Sequence, residues 1–309
     1  MIIIGAGLSG LLAATQFQRA QVFEAGPATA VGHRALLRFR SSAVGDAVGI
    51  EFRKVLVRKG VWLEGRYVTP DIRAANQYSL KVIGRLGDRS IWNQEPVERY
   101  IAPDDLIEQL RERVGSRVDY NTPFEFSPKD DARRNGGHLR PDPIISTMPM
   151  DRLVRGLDLK QTPAFEHSPI HVFRILIKNS DVFQTIYFPG PETSVYRASI
   201  TGNMLIVESK TLVNKSDIKE VIAAFGLNDD GDNLDNVAEV NHQRYGKIAP
   251  IDDAWRRKFI VEATQRLNVY SLGRFAIWRN ILVYDVLHDI AVIKKLLRGD
   301  AYASSLKGA

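Results

Sequence analysis

Residues 1–24 read MIIIGAGLSGLLAATQFQRAQVFE. The β-branched run Ile2–Ile4 stops at Gly5, after which Leu8, Leu11, Leu12 and Phe17 recur at roughly helical spacing, so the stretch reads as strand, tight turn and helix. Gly5, Gly7 and Gly10 complete G-x-G-x-x-G: the first glycine permits the turn, the second lets a pyrophosphate approach the backbone, and the third lets the helix pack closely on the strand. The helix N-terminus then faces the phosphates. A second short strand, residues 21–23, ends at Glu24, where a carboxylate can accept hydrogen bonds from ribose hydroxyls and favours FAD or NAD over NADP. Glycines also serve turns and packing, so the order strand, turn, helix, strand, acid is what turns the pattern into a dinucleotide site.

Outside this stretch, composition excludes more than it selects. A chain of 309 residues with 44% hydrophobic and 25% charged residues has enough apolar side chains for a sizeable core, as two connected subdomains or as one domain with a large insertion. Zero cysteines exclude a disulfide scaffold, a thiolate metal site and a thiol nucleophile, so redox chemistry requires a bound cofactor. No His-Glu-x-x-His pattern and no Ser-His-Asp set can be read, and no metal is expected. The 42 basic against 36 acidic residues are compatible with an anionic partner. No apolar run approaches the roughly 20 residues that span a bilayer. The first apolar run carries glycines at fixed spacing and no basic segment before them, so it reads as a mature N-terminus rather than a signal peptide, with a cytoplasmic location expected.

The middle of the chain is less explicit. Residues 34–60 carry seven bases against two acids. One reading is a solvated face with one or two arginines meeting a pyrophosphate; the other is a groove for a phosphorylated or nucleic-acid substrate, with Arg38, Arg40 and Arg53 as its contacts. Arg38 and Arg40 alternate with Phe39 and Ser41, which puts both on one face of a strand. A helix is expected from Asp104 and Asp105 to about Val114, followed by a strand through Val118 and Tyr120. Residues 170–177, 182–188, 194–200 and 204–208 read as four consecutive antiparallel strands. A helix capped by Ser216 or Asp217 runs to Phe225, and the acidic run 229–235 reads as a solvated loop, since it lacks the terminal Glu of an EF-hand.

GAGLSGLLAA followed by VFEAG resembles the flavoprotein superfamily of monoamine oxidases, protoporphyrinogen oxidase and UDP-galactopyranose mutase. Gly32, His33 and Arg34 stand where that family has a Gly-Gly-Arg loop near the flavin, with His33 replacing the second glycine. PDPIISTMPM, residues 141–150, is similar to the strand at which the family leaves the FAD domain for the substrate domain. Gly273 and Arg274 match a C-terminal segment that contacts the pyrophosphate and ribityl, and the helix beginning near Asp285 matches one whose N-terminus faces the flavin N1–C2=O edge.

The resemblance implies an α/β fold: a Rossmann-like FAD-binding domain with a parallel sheet, plus an antiparallel substrate sheet. It distributes the chain as residues 1–50, 101–150 and 246–309 in the FAD-binding domain, 51–100 as an insertion in the substrate region and 151–245 as the substrate domain. FAD is the implied cofactor, held by Gly5, Gly7, Gly10, Glu24, Arg34, Gly273, Arg274 and Asp285. The implied reaction is oxidation of an amine-bearing carbon leading to C–N cleavage. Lys247, in a Tyr-Gly-Lys turn, and His33 are its catalytic candidates; Arg174, Arg197 and Tyr196 are its substrate candidates. A narrower likeness is to the phage-encoded flavoproteins of thymidine hypermodification, for which modified DNA in the host cytoplasm would be the partner and Arg38, Arg40 and Arg53 its contacts. The alternatives are a flavin-dependent sugar-nucleotide mutase and a non-catalytic FAD- or NAD-binding module. No oligomeric state is implied.

Overall fold

β1 (Ile2–Ile4), α1 (Leu8–Gln16) and β2 (Gln21–Phe23) form the expected strand–helix–strand unit in the computed structural model, with the two strands parallel and Ile2 opposite Gln21. The structure describes residues 1–28, 38–87, 91–126, 142–156, 162–227 and 239–307. The expected positions His33 and Arg34, and the acidic run 229–235, lie outside them. β7 (Val118–Asp119), β8 (Ile144–Ser146) and β14 (Val269–Ser271) complete a five-stranded, wholly parallel sheet of order β14-β8-β1-β2-β7.

Because successive strand residues face opposite sides, Ile3, Val22 and Ile145 pack beneath α1, α4 (Leu106–Val114) and α8 (Val283–Lys307). Ile4, Ile144 and Val269 enter a second core with Trp278, α5 (Met150–Gly156) and α7 (Asp253–Leu267). Both faces are covered, as a parallel sheet requires, which explains why its strands are short continuous apolar runs.

A second sheet contains β3 (Arg38–Phe39), β4 (Arg53–Leu63), β6 (Val97–Ile101), β9 (His167–Leu176), β10 (Val182–Tyr187), β11 (Val195–Gly202), β12 (Met204–Ser209) and β13 (Glu239–Ile248). Their order is β13-β9-β12-β11-β10-β4-β6-β3, and β5 (Arg66–Val68) pairs with β4. The four strands expected at residues 170–208 are present, but β9 pairs with β12 rather than with its sequence neighbour β10. The sheet is also larger than expected and mixed, because β10 runs parallel to β4 while every other pair is antiparallel. With α2 (Ala43–Val48) packed near α8, the architecture is mixed α/β, a parallel sheet beside a mixed one.

One face of the mixed sheet buries Phe173, Ile186, Ala198 and Val207 against α6 (Lys215–Phe225). The expected cap is displaced: Asn214 accepts from Asp217 N at 2.9 Å and Asp217 accepts from Asn214 N at 3.0 Å, a reciprocal box that places Ser216 inside the first turn. The opposite face meets α3 (Ile72–Ile83) through Ala74, Ala75, Tyr78 and Val82. Among the described residues no helix is long and apolar enough to cross a membrane.

Lys81, near the C-terminus of α3, donates to Phe188 O at 2.9 Å and Gly190 O at 2.6 Å, and its burial pushes the ammonium down to about 8. A base depressed in the fold loses its proton before the unfolded chain does, so its contribution to stability appears as pH rises from about 8 toward the ordinary lysine value of 10.5. Urea unfolding of the wild type relative to Lys81→Met is expected to show a midpoint difference that shifts in favour of the wild type between pH 7.5 and 10. A difference independent of pH would contradict this account.

Candidate functional site

The carboxyl ends of β1, β2, β8 and β14 lie side by side; β1, β2 and β14 continue into the expected Gly5, Glu24 and, one residue on, Gly273, and β8 into Thr147, which was not among the expected residues. Gly5 turns the chain at φ +93°, and its N–H donates to Phe23 O at 2.8 Å. Thr147 donates through Oγ1 to Ile4 O at 2.7 Å, and that oxygen occupies the space a side chain on Gly5 would need. A Cβ on Gly10 would overlap the Gly5 carbonyl oxygen, so the start of α1 can sit against the end of β1 only with glycine there.

Gly7 has the opposite environment. It is the N-cap of α1, extended at φ −71°, with no side-chain cap among the described residues and nothing within 4 Å of where its Cβ would be. With no side-chain cap and open space beside Gly7, the first turn of α1 offers a fixed positive pole whose position suits a pyrophosphate. The Glu24 carboxylate is held at the end of β2 by Ala6 N–H to Oε2 at 2.6 Å and Gly26 N–H to Oε1 at 2.8 Å, and each oxygen keeps a lone pair for a ribose hydroxyl. Gly273, at φ +89°, brings the C-terminal loop so close that a Cβ would lie 2.6 Å from Ser9 Oγ. The two most distant sequence signals thus meet at the N-terminus of α1, and the residues fit the ADP end of a dinucleotide.

Arg274 turns from this cradle toward the mixed sheet, donating to Gly246 O at 3.1 Å. Gly246 lies where the β13–β9 register slips between Gln243 and Lys247, and its Cβ would come within 2.5 Å of Ile170 Cγ1. Lys247 therefore belongs to a strand with a bulge rather than to the turn expected for it. Its Nζ stands 4.7 Å from the Tyr196 ring centroid. A second slip, between Val195 and Arg197 on β11, lets the consecutive residues Tyr196 and Arg197 both reach Glu208: Tyr196 donates at 3.4 Å and Arg197 through Nε in an ion pair.

Three candidates from sequence, Lys247, Tyr196 and Arg197, thus converge on a carboxylate that the sequence reading did not single out. Burial opposes ionisation of Glu208, but Arg197 and then Lys247 hold it below the usual carboxylate range. Against the same desolvation, Glu208 holds Arg197 well above the ordinary guanidinium value, although 32% of the Arg197 side chain is exposed. Burial, and then the Glu208 charge, push the Tyr196 phenol upward, so it stays a donor. The available signal was one acid in the apolar strand MLIVES.

The other expected positions separate. Arg174 lies on β9 opposite Ile206 rather than in the Glu208 hydrogen-bond set. β3 ends at Phe39, so Arg38 and Arg40 do not share a strand face. Arg38 points inward, donating to Thr201 Oγ1 at 2.6 Å, Thr185 Oγ1 at 2.7 Å and Ile200 O at 2.6 Å; burial, then the Arg197 charge, push it down to about 9. Arg53 is bidentate on Asp181 at 2.8 and 2.7 Å, and only Arg40 of the three is both exposed and outside these contacts. No continuous cationic stripe for DNA forms from them. Asp285 accepts from Leu282 N at 2.7 Å, fixing the turn into α8.

No protein-family model and no curated protein matches the sequence. Solved structures share its fold. A reduced UDP-galactopyranose mutase is 17% identical at a TM-score of 0.65, with 96% of this chain and 93% of that chain covered. An oxidoreductase from Methanosarcina mazei is 10% identical at 0.55, covering 95% and 99%. A geranylgeranyl bacteriochlorophyll reductase-like protein from Thermoplasma acidophilum is 14% identical at 0.53, covering 97% and 79%.

Two glycines of the cradle test its geometry in opposite ways. Gly7→Ala is expected to keep the melting temperature of the cofactor-free protein and to weaken dinucleotide binding at least about tenfold, because its methyl fills the approach to the helix N-terminus. Gly10→Ala is expected to unfold the N-terminal unit, since the methyl meets backbone. Calorimetry and cofactor titration of the two variants check this; equal melting temperatures for both would contradict it.

Proposed function

We propose that the chain is an FAD-dependent oxidoreductase whose substrate lies between the cradle and the Glu208 face of the mixed sheet. The observation that carries the reading is the open, uncapped N-terminus of α1 flanked by Glu24 and Gly273. Glu24 would hold the ribose, and the first turn of α1 with the Gly273 backbone would take the pyrophosphate. Bound there, FAD supplies an acceptor for hydride from a substrate carbon. The protein's own part is to place that carbon, exclude water and set the local charge.

The substrate class inferred is an amine that also carries an anionic group, and the net reaction is oxidation of the amine-bearing carbon with eventual C–N cleavage. The amine follows from the resemblance at both ends of the chain. The anionic group follows from charge: Arg197 and Lys247 outnumber Glu208 at the cluster. Lys247 and Arg197 would orient that anion, and Glu208 keeps Arg197 and the Tyr196 hydroxyl aimed at one point. A second reading, a flavin-dependent mutase acting on a sugar-nucleotide, is favoured by the likeness to UDP-galactopyranose mutase along nearly the whole of both chains. The same cations would then face a diphosphate.

Purified protein is expected to show the two-banded flavin absorption and to bleach on anaerobic addition of an amino-acid amine, with oxygen restoring the colour. Turnover that needs prior reduction and consumes no oxygen would replace this reading with the mutase. A colourless protein that takes up no FAD would end both. Glu208→Gln, which removes the charge and keeps the shape, is expected to retain the flavin spectrum and to slow bleaching at least about tenfold, because it leaves Arg197 without its counter-ion.

A further inference from the structure

A cavity of about 430 Å³ opens on the α5 side of the parallel sheet, between the first turn of α5, the segment leading into β9, and the bulged end of β13. None of its lining residues belongs to the cradle or to the Glu208 cluster. Asp151 is the only carboxylate among its described lining residues, and it is already matched: Arg155 Nη2 meets it at 2.7 Å and the Tyr245 hydroxyl donates at 3.3 Å. Two polar groups beside it are not matched in the same way. The His167 ring lies 4.6 Å from the Tyr245 ring, and its Nδ1 is buried with no hydrogen-bond partner among the described residues. Arg244 spreads over the other aromatic contact of the site, 5.4 Å from the Tyr245 centroid. The apolar wall is Phe165, fixed edge-on to Trp278 at 4.9 Å.

The His167 Nδ1 has no exposed surface, so a ligand in the cavity meets the ring and not that nitrogen, and the polar contact left to it is Arg244. With Asp151 neutralised by Arg155, the described lining keeps one excess positive charge, on Arg244. One excess cation beside a fixed carboxylate suits a monoanion and disfavours a phosphate dianion, which Asp151 would repel. The planar guanidinium on Tyr245 and the face of Phe165 suit a flat apolar body.

We propose that this cavity binds a small aromatic carboxylate, its anionic end on Arg244 and its ring against Phe165. The site is independent of the FAD reading, because every group it uses lies outside the cradle. Its occupant would also press on Tyr245, two residues before Lys247, at the bulge that sets the position of that lysine.

Titration calorimetry on the full chain with benzoate, with uncharged benzamide as control, tests the proposal. Saturable one-to-one binding of benzoate and none of benzamide is expected. Arg244→Met is expected to weaken benzoate on the order of tenfold through loss of one charge-assisted hydrogen bond. Arg244 is exposed, so its substitution leaves the fold intact. Gly7→Ala is expected to bind benzoate as the wild type does. Absence of saturable binding, equal binding of benzamide, preference for inorganic phosphate, unchanged affinity in Arg244→Met, or loss of binding in Gly7→Ala would each overturn the proposal. The flavin absorption recorded on the same samples reports the cofactor separately, so a colourless protein that binds benzoate would sink the FAD reading and leave this one standing.

Discussion

The contact between Gly10 and the carbonyl of Gly5 is the constraint on which the site rests. A helix can begin directly above the end of its strand only if its third residue presents no side chain to that carbonyl, and here a single methyl would overlap it. The close fit aims the uncapped N–H groups of α1 along the carboxyl edge of the parallel sheet. It also makes room for Thr147 to bond the Ile4 carbonyl from the neighbouring strand and for the Gly273 loop to lie against Ser9. An anion site at a strand's carboxyl end follows from this arrangement of backbone dipoles, with little help from charged side chains.

The second half of the site works on a different principle. Around Glu208 the charges come from side chains, and burying them carries a desolvation penalty that only close pairing offsets. The two register slips make that pairing possible: one extra residue on β11 and two on β13 redirect their neighbours, so Tyr196 and Arg197 share a side and Lys247 comes over the Tyr196 ring. Arg274 donating to Gly246 ties this bulge to the loop that begins at Gly273, so cradle and sheet face are held in register through one short span of backbone.

That difference explains what was legible in the sequence. The cradle acts through backbone approach, and backbone approach leaves glycines at fixed spacing; Gly5, Gly7, Gly10, Glu24 and Gly273 could all be read. The helix α4 and the strands β9 to β12 showed their periodicity plainly. β13 did not, because EVNHQRYGKI has almost no apolar alternation. β4 carries Val55, Val57 and Val61 at a period of two, but its bases drew the reading toward charge. Glu208 was invisible as a site residue since its partners arrive from β11 and β13 across two bulges, and no spacing along the chain encodes a register slip. The cap lies at Asn214, two or three residues before the expected Ser216 or Asp217, because Ser, Asp and Asn are all good N-caps and three of them stand within four residues.

The charge distribution of the mixed sheet carries the argument one step further. Arg38 is depressed by burial and then by Arg197, Lys59 by burial and then by Arg99, and Arg99 by burial and then by Arg40. A chain of like charges that lower one another is energetically uphill for the fold. Arg38 is tolerated because Thr185, Thr201 and the carbonyl of Ile200 take its protons, and Thr185 is in turn bonded to Ser199 at 2.9 Å. The hydroxyls satisfy hydrogen bonds without cancelling charge, so the positive potential survives in the finished structure. A core built for stability alone would fill these positions with apolar side chains. Arg38, unlike Arg197 on Glu208 and Arg53 on Asp181, is paired to neutral oxygens and keeps its field uncancelled, and under the proposed function that is the physical reason to expect a substrate that brings negative charge.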